Sequence, residues 1–391
     1  MATPAISVPR LQHVAADREM STRVPWPIHA VLFASTSVIV GVLWDISWHR
    51  TIGRDTFWTP AHLAIYLGGV VAGLTCGYVA LRTTFGGISA ERDASVRFWG
   101  FRAPFGAWVC IWGAFAMLTS APFDDWWHNA YGLDVKIVSP PHMLLAAGIA
   151  AIQGGAMLMA LAWQNRAVGD RRHLGRLYLY GAGLLLLLVM TLCTEYQQRW
   201  DMHQSLFFEV TAGAVVLFLV GPARPSVSRW PATIIALVYS AVTMAMIVIL
   251  PLFAAQPLLG PIYVNVDRFV PPDFPVLIIV PALCIDLVMR AARARGMNDW
   301  LAAAVISVVF LASFIAVQWP FADFLMTPWA RNRIFVSNVM QYSVDPQIQA
   351  RWYQLNPPDN LARGLPIALV LGFLSARCGL WWGSWMSRVQ R

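Results

Sequence analysis

Ten stretches of mostly apolar residues punctuate this chain, approximately 27–45, 62–81, 103–122, 142–163, 177–194, 206–221, 232–250, 274–290, 300–318 and 365–382. A helix needs about 20 such residues to cross the hydrocarbon of a bilayer. Inside lipid each backbone N–H and C=O must be satisfied within the chain, so a series of such stretches reads as spanning helices. The expected fold is therefore all-α, a polytopic membrane protein of about ten transmembrane helices. Of 391 residues, 58% are hydrophobic and 12% charged, which excludes an ordinary soluble domain.

Orientation follows from the basic residues, because Arg and Lys accumulate in cytoplasmic loops. With the N-terminus inside, most of the 28 basic residues fall inside, among them Arg82, Arg92, Arg97, Arg102, Arg166, Arg171, Arg172, Arg176, Arg290, Arg293 and Arg295. Both termini are then cytoplasmic, and the outer side is net acidic. The net charge of +8 is explained by this bias, and no nucleic-acid partner is expected. Residues 1–25 read as a cytoplasmic tail, with the first helix an uncleaved anchor. Residues 26–163 read as a duplicated four-helix membrane domain, and residues 164–391 as a six-helix extension with long outer segments at 251–275 and 319–364. Five cysteines without CxxC pairing suggest packing residues rather than disulfides or thiolate sites. Gly69, Gly73 and Gly77, at four-residue spacing, are expected at a close helix contact.

The chemistry gathers in a repeat. Trp44-Asp45-Ile46-Ser47-Trp48-His49, then Asp55 and Pro60-Ala61-His62, returns 79 residues later as Phe123-Asp124-Asp125-Trp126-Trp127-His128, then Asp134 and Pro140-Pro141-His142. Both copies lie in the turn of a helical hairpin, in the same orientation. Asp45 and His49 share a face if the helix continues through them, at about 5 to 6 Å between Cβ atoms. His62 returns from the next helix. One carboxylate and two imidazoles make a three-ligand set with open positions, suited to a first-row transition metal, with iron and zinc as well as copper compatible. The second set is Asp124, His128 and His142, with Asp125 adjoining. Asp55 and Asp134 would orient imidazoles or, the preferred reading, cap the turns.

A plainer reading stands beside this one. Trp, His and Asp are also at home at a membrane interface, where one such motif would serve as an anchor. Duplication with a returning Pro-x-His favours a site. A third outer turn, with Glu195, Asp201 and His203, lacks the spacing and reads as a solvated loop. His13, His29 and His173 are given no part.

Asp-x3-His followed by x12-His, with Thr51-Ile52, Arg54-Asp55-Thr56 and Thr59-Pro60 in between, resembles the copper-holding, all-membrane subunit of particulate methane monooxygenase and its ammonia-oxidising relatives. The resemblance covers about residues 27–163 and implies a copper site at Asp45, His49 and His62. It implies a second at Asp124, His128 and His142, where the family has Asn, His and His; here Asp replaces Asn and adds charge. Trp126 and Pro140 also match. It further implies a bacterial inner or intracytoplasmic membrane, sites near the outer face, partner subunits or a homo-oligomer, a quinol reductant, and a small apolar substrate such as a hydrocarbon or ammonia. The six later helices have no counterpart in the resemblance.

The leading expectation is thus a copper-containing monooxygenase component. A non-catalytic copper-binding or delivery protein is the alternative, followed by a transporter relaying ions through carboxylates such as Asp286. The repeat is parallel rather than inverted, which argues against alternating access.

Overall fold

A computed structural model of the chain describes residues 24–87, 89–132 and 139–391. Ten helices of 16 residues or more build the fold: α1 (Trp26–Thr51), α2 (Pro60–Phe85), α3 (Phe105–Tyr131), α4 (Pro140–Arg166), α5 (Arg172–Leu192), α6 (Ser205–Ala223), α7 (Pro231–Ile249), α8 (Ile279–Ala294), α9 (Asp299–Leu325) and α10 (Leu361–Met386). Among the described residues, nine are long and apolar enough to cross a membrane, which makes this an all-α integral membrane protein. The N-terminal tail lies outside the described residues, apart from Val24 and Pro25.

The tenth apolar stretch behaves differently. Helix α8 has only 16 residues and begins at Ile279, five residues later than hydropathy suggests. Pro271, Pro272 and Pro275 hold the preceding backbone out of helix. Its N–H groups find partners on neighbouring helices: Val276 N–H donates to Tyr239 Oη at 3.0 Å, and Leu277 N–H to Gln318 Oε1 at 3.0 Å. Irregular backbone at this depth survives because protein satisfies it.

Helices α1 and α3 overrun the bilayer core. Each has 26 or 27 residues, about 40 Å at 1.5 Å per residue, against roughly 30 Å of hydrocarbon. The overrun of α1 carries Asp45 and His49, and that of α3, beyond Pro122, carries Asp124 and His128. Continuous helix therefore puts each Asp–His pair on one face.

Small residues set the helix spacing, though at other positions than expected. Gly106 and Gly113 of α3 face Gly155 and Gly148 of α4: a Cβ on Gly113 would lie 2.7 Å from Gly148 O, and one on Gly148 would lie 2.9 Å from Gly113 O. Only glycine permits that approach. Of the expected triplet, Gly73 faces Ala114 and Gly69 faces Met117 more loosely, while Gly77 has nothing within 4 Å among the described residues. Helix α5 is the most buried span and joins both parts of the chain into one apolar core, through Leu179, Leu184, Leu186, Ile39, Ala156 and Phe207.

At the end holding the α1–α2 turn, the segments 250–278 and 326–360 pack onto α1. Leu258 N–H donates to Ile52 O (2.9 Å), Ser47 Oγ to Val270 O (2.6 Å), and Val270 N–H to Thr51 Oγ1 (2.8 Å). Tyr263 and Val264 N–H both donate to Tyr342 O, at 2.9 and 3.0 Å. Arg199, 6% exposed, donates to Val336 O (2.9 Å) and Ser337 O (3.0 Å) and stacks on Trp352. Asp273, half-exposed, lies 3.5 Å from both Arg50 and Arg199. Partial desolvation would raise its carboxyl, but the Arg50 and Arg199 guanidiniums hold it below the usual carboxylate range. At the other end, α2 and α3 are joined by a β-hairpin, β1 (Val96–Phe98) and β2 (Phe101–Ala103), turning at Trp99-Gly100 with φ of 47° and 87°.

Candidate metal centre

The first cluster forms where the end of α1 meets the start of α2. Asp45 turns its two carboxylate oxygens to different rings: Oδ1 lies 3.1 Å from His62 Nε2 and Oδ2 lies 3.8 Å from His49 Nε2. Asp55, from the turn, comes as close, its Oδ2 being 3.4 Å from His62 Nε2 and 3.5 Å from His49 Nε2. It therefore stands among the donors rather than capping the turn. The turn is closed by Thr59, whose Oγ1 accepts from Thr56 N–H at 2.8 Å, and by Trp48 Nε1–H donating to Arg54 O at 2.8 Å.

The second cluster repeats this at the junction of α3 and α4. Asp124 Oδ2 lies 3.4 Å from His128 Nε2, and its Oδ1 lies 3.5 Å from His142 Nε2. Ser139 caps α4 by accepting from His142 N–H, which aims the ring. Asp125 points its carboxylate at Asn129 Nδ2 (3.4 Å) and adjoins the cluster without entering it. Asp134 lies outside the described residues.

In both copies a backbone carbonyl selects the tautomer. His62 Nδ1 lies 2.9 Å from Thr56 O, and His128 Nδ1 lies 3.3 Å from Gly132 O. A carbonyl oxygen only accepts, so each Nδ1 carries a proton and Nε2 is the atom turned toward the carboxylates; in a neutral ring it offers its lone pair there. Lone pairs facing one another at these distances repel unless a cation or a proton lies among them. Asp45 Oδ1 and Asp124 Oδ1 are buried without a hydrogen bond among the described residues. Both features fit a metal ion: donors each about 2.1 Å from one centre stand roughly 3 to 3.5 Å apart. One donor atom from each of Asp45, His49 and Asp55 lies within 4.8 Å of the others, and the same holds for Asp124, His128 and His142.

One residue was given another role in the sequence reading, and one escaped it. Asp55 is in the motif, but its direction depends on how the turn folds. Tyr66 follows His62 by four residues, a spacing that marks the same helix face. Its ring lies 6.1 Å from that of His62, beside the first cluster.

The third outer turn does not join them. His203 is buried, stacked on Trp319 at 3.9 Å and 3.6 Å from Asp323, while Asp201 accepts from Asn356 Nδ2 at 2.7 Å. It is a packed latch rather than a solvated loop. Asp286 accepts from Ala232 N–H (3.0 Å), Thr233 N–H (2.9 Å) and Thr233 Oγ1–H (2.8 Å), so it caps α7. That saturated role removes the carboxylate best placed to relay ions. All five cysteines are free.

No family model, curated protein or solved structure matches the chain.

Proposed function

We propose that the chain is a copper-binding component of a membrane monooxygenase acting on a small apolar substrate, with quinol as reductant and with partner subunits or further copies of itself. The observation that carries the reading is the duplication of one donor arrangement: a carboxylate with each oxygen aimed at a separate imidazole Nε2, built twice at one end of the bundle. The likeness to the copper-holding membrane subunit of the particulate monooxygenases supplies the metal and the reaction class, and the placement of that end on the outer side rests on the distribution of arginines.

Asp45, His49, His62 and Asp55 would hold one ion, and Asp124, His128 and His142 the other. Bound copper would supply redox chemistry toward dioxygen. The chain's own residues do the rest. Thr56 and Gly132 carbonyls keep the imidazoles in the tautomer that offers Nε2, and the segments 250–278 and 326–360 brace the first cluster's helix. Exposed Trp58, Leu63, Trp126 and Met143 give both hairpins an apolar outer surface, across which an apolar substrate can approach from lipid.

Asp55 favours a second reading. Two His with two carboxylates form a harder donor set than copper in its reduced state prefers, and suit non-haem iron(II) as well. Protein purified in native-like lipid and supplied separately with copper and iron distinguishes the two. Copper-dependent oxidation of small alkanes or ammonia, with nitrogen couplings in the copper resonance spectrum, is the expected result. Activity with iron alone would install the second reading; metal binding without oxidation under either ion would leave a copper-binding or delivery protein.

A further inference from the structure

The opposite end of the bundle holds a basic cavity that the metal sites do not use. A space of about 170 Å³ opens between the end of α6, the α6–α7 connection and α8, with Ser228, Arg229, Asp286, Arg290 and Arg293 in its wall. A second space, of about 290 Å³, shares Met289 and Arg293 with the first and runs on between Ala302 and Ile306 of α9 and Leu380 of α10. One part is cationic, and its neighbour sets Met297, Ala302, Ile306 and Leu380 beside the Arg224–Asp299 pair and Ser387.

The acids nearby are already engaged. Both oxygens of Asp286 cap α7, and Asp299 accepts from Arg224 Nη1 at 2.8 Å. Arg229 and Arg290 lie over the Trp230 ring, at 5.5 and 4.6 Å, and Arg293 donates to Arg224 O at 2.8 Å. Among the described residues none of the three stands in an ion pair, so three guanidiniums converge on a cavity with one capped carboxylate to offset them. Arginine at a cytoplasmic helix end is ordinary, and by itself would only snorkel into bulk headgroups. A shaped cationic cavity continuous with a slot of mixed polar and apolar lining is a different thing, because it matches one amphipathic molecule.

We propose that this pair of spaces binds one anionic phospholipid, its phosphodiester held by Arg229, Arg290 and Arg293 with Ser228 as a hydroxyl donor. The glycerol and the first part of an acyl chain lie in the slot between α9 and α10. Guanidinium forks suit phosphate oxygens, and the cavity sits at the level where helices α6, α7 and α8 end, as a headgroup requires.

The test is native mass spectrometry of the full chain with phosphatidylglycerol and phosphatidylcholine in competition, before and after substitution. Wild type is expected to retain one phosphatidylglycerol preferentially, and Arg229→Gln/Arg290→Gln/Arg293→Gln to lose the preference, at about fivefold per arginine. Arg295→Gln, on the same end but lining neither space, is expected to keep it. No preference in wild type overturns the proposal without recourse to any variant. An equal loss with Arg295→Gln would mean surface attraction alone, and displacement of the lipid by millimolar inorganic phosphate would mean that the slot plays no part; either result also overturns it.

Discussion

The two clusters share an Asp, two His and a backbone carbonyl on a ring Nδ1, yet their surroundings differ. The first is braced: the chain from 250–278 and 326–360 bonds to Ser47, Arg50, Thr51 and Ile52, around the donors Asp45 and His49. It also has a second carboxylate, Asp55. The second has one carboxylate at its centre among the described residues, and His142 Nδ1 is buried without a hydrogen bond among them. Its three side chains are evenly exposed, at 27%, 31% and 33%, whereas in the first His62 is 18% and His49 48% exposed. The repeat carries the same Asp and His twice; the later part of the chain makes one copy the better supported.

The largest effect that would break this comparison is on the carboxylates. Asp124→Ala is expected to weaken metal binding at the second site by about 100-fold, and Asp45→Ala to weaken the first by about tenfold, because Asp55 remains. Metal titration followed by equilibrium dialysis reads both, and equal losses would show that Asp55 is not a donor.

Next comes the brace. Arg199→Ala removes one donor from each of the Val336 and Ser337 carbonyls, which keep Val339 N–H and Trp352 Nε1–H, and is expected to cost about 2 kcal/mol. Hydrogen exchange should then quicken in 326–345 and around 45–52 while 124–131 keeps its protection. Uniform quickening would mean that the brace serves the whole bundle.

The two turns offer a finer contrast. Gly53 has φ +84°, and a Cβ there would overlap Tyr342 Oη; Gly132 has φ +89° and nothing within 4 Å among the described residues. Gly53→Ala should cost about 2 to 3 kcal/mol and Gly132→Ala about 1 to 2, since both pay backbone strain and only the first also displaces a neighbour. Thermal unfolding in one detergent ranks them, and a larger loss at Gly132 would contradict the assigned packing.

The smallest effect is the pH response of the Asp273 clasp. Its carboxyl is lowered in the folded protein, so its contribution is complete above the ordinary carboxylate value and is lost as pH falls through the lowered one. Between pH 5 and 7 proteolysis of the 326–360 segment should be flat, by about the usual carboxylate titration range, and should rise only in stronger acid. Asp273→Asn should be equally sensitive throughout; a rise for wild type near pH 6 would point to a histidine instead.

Much of this was legible in the residues themselves. Apolar length gave the spans, and the i, i+4 spacing with a returning Pro-x-His brought Asp124, His128 and His142 together; at the first cluster the mutually close group is Asp45, His49 and Asp55, with His62 against the two carboxylates. Asp55 was visible as a residue but not as a donor, because a turn's path is set by Thr59, Arg54 and Gly53 acting together. The late start of α8 follows from its prolines, which hydropathy outweighs when averaged along a stretch. The braces on α1 come from residues more than 200 positions away, a pairing no local pattern encodes.

The central claim is two metal sites with separate ligands, and metal stoichiometry tests it most directly. Protein purified in native-like lipid should carry two equivalents of transition metal per chain. His49→Ala/His62→Ala and His128→Ala/His142→Ala should each retain one, with the fold intact by circular dichroism. Wild-type protein that holds no metal after reconstitution would contradict the account, leaving the repeated Asp, Trp and His as an anchor at the membrane interface.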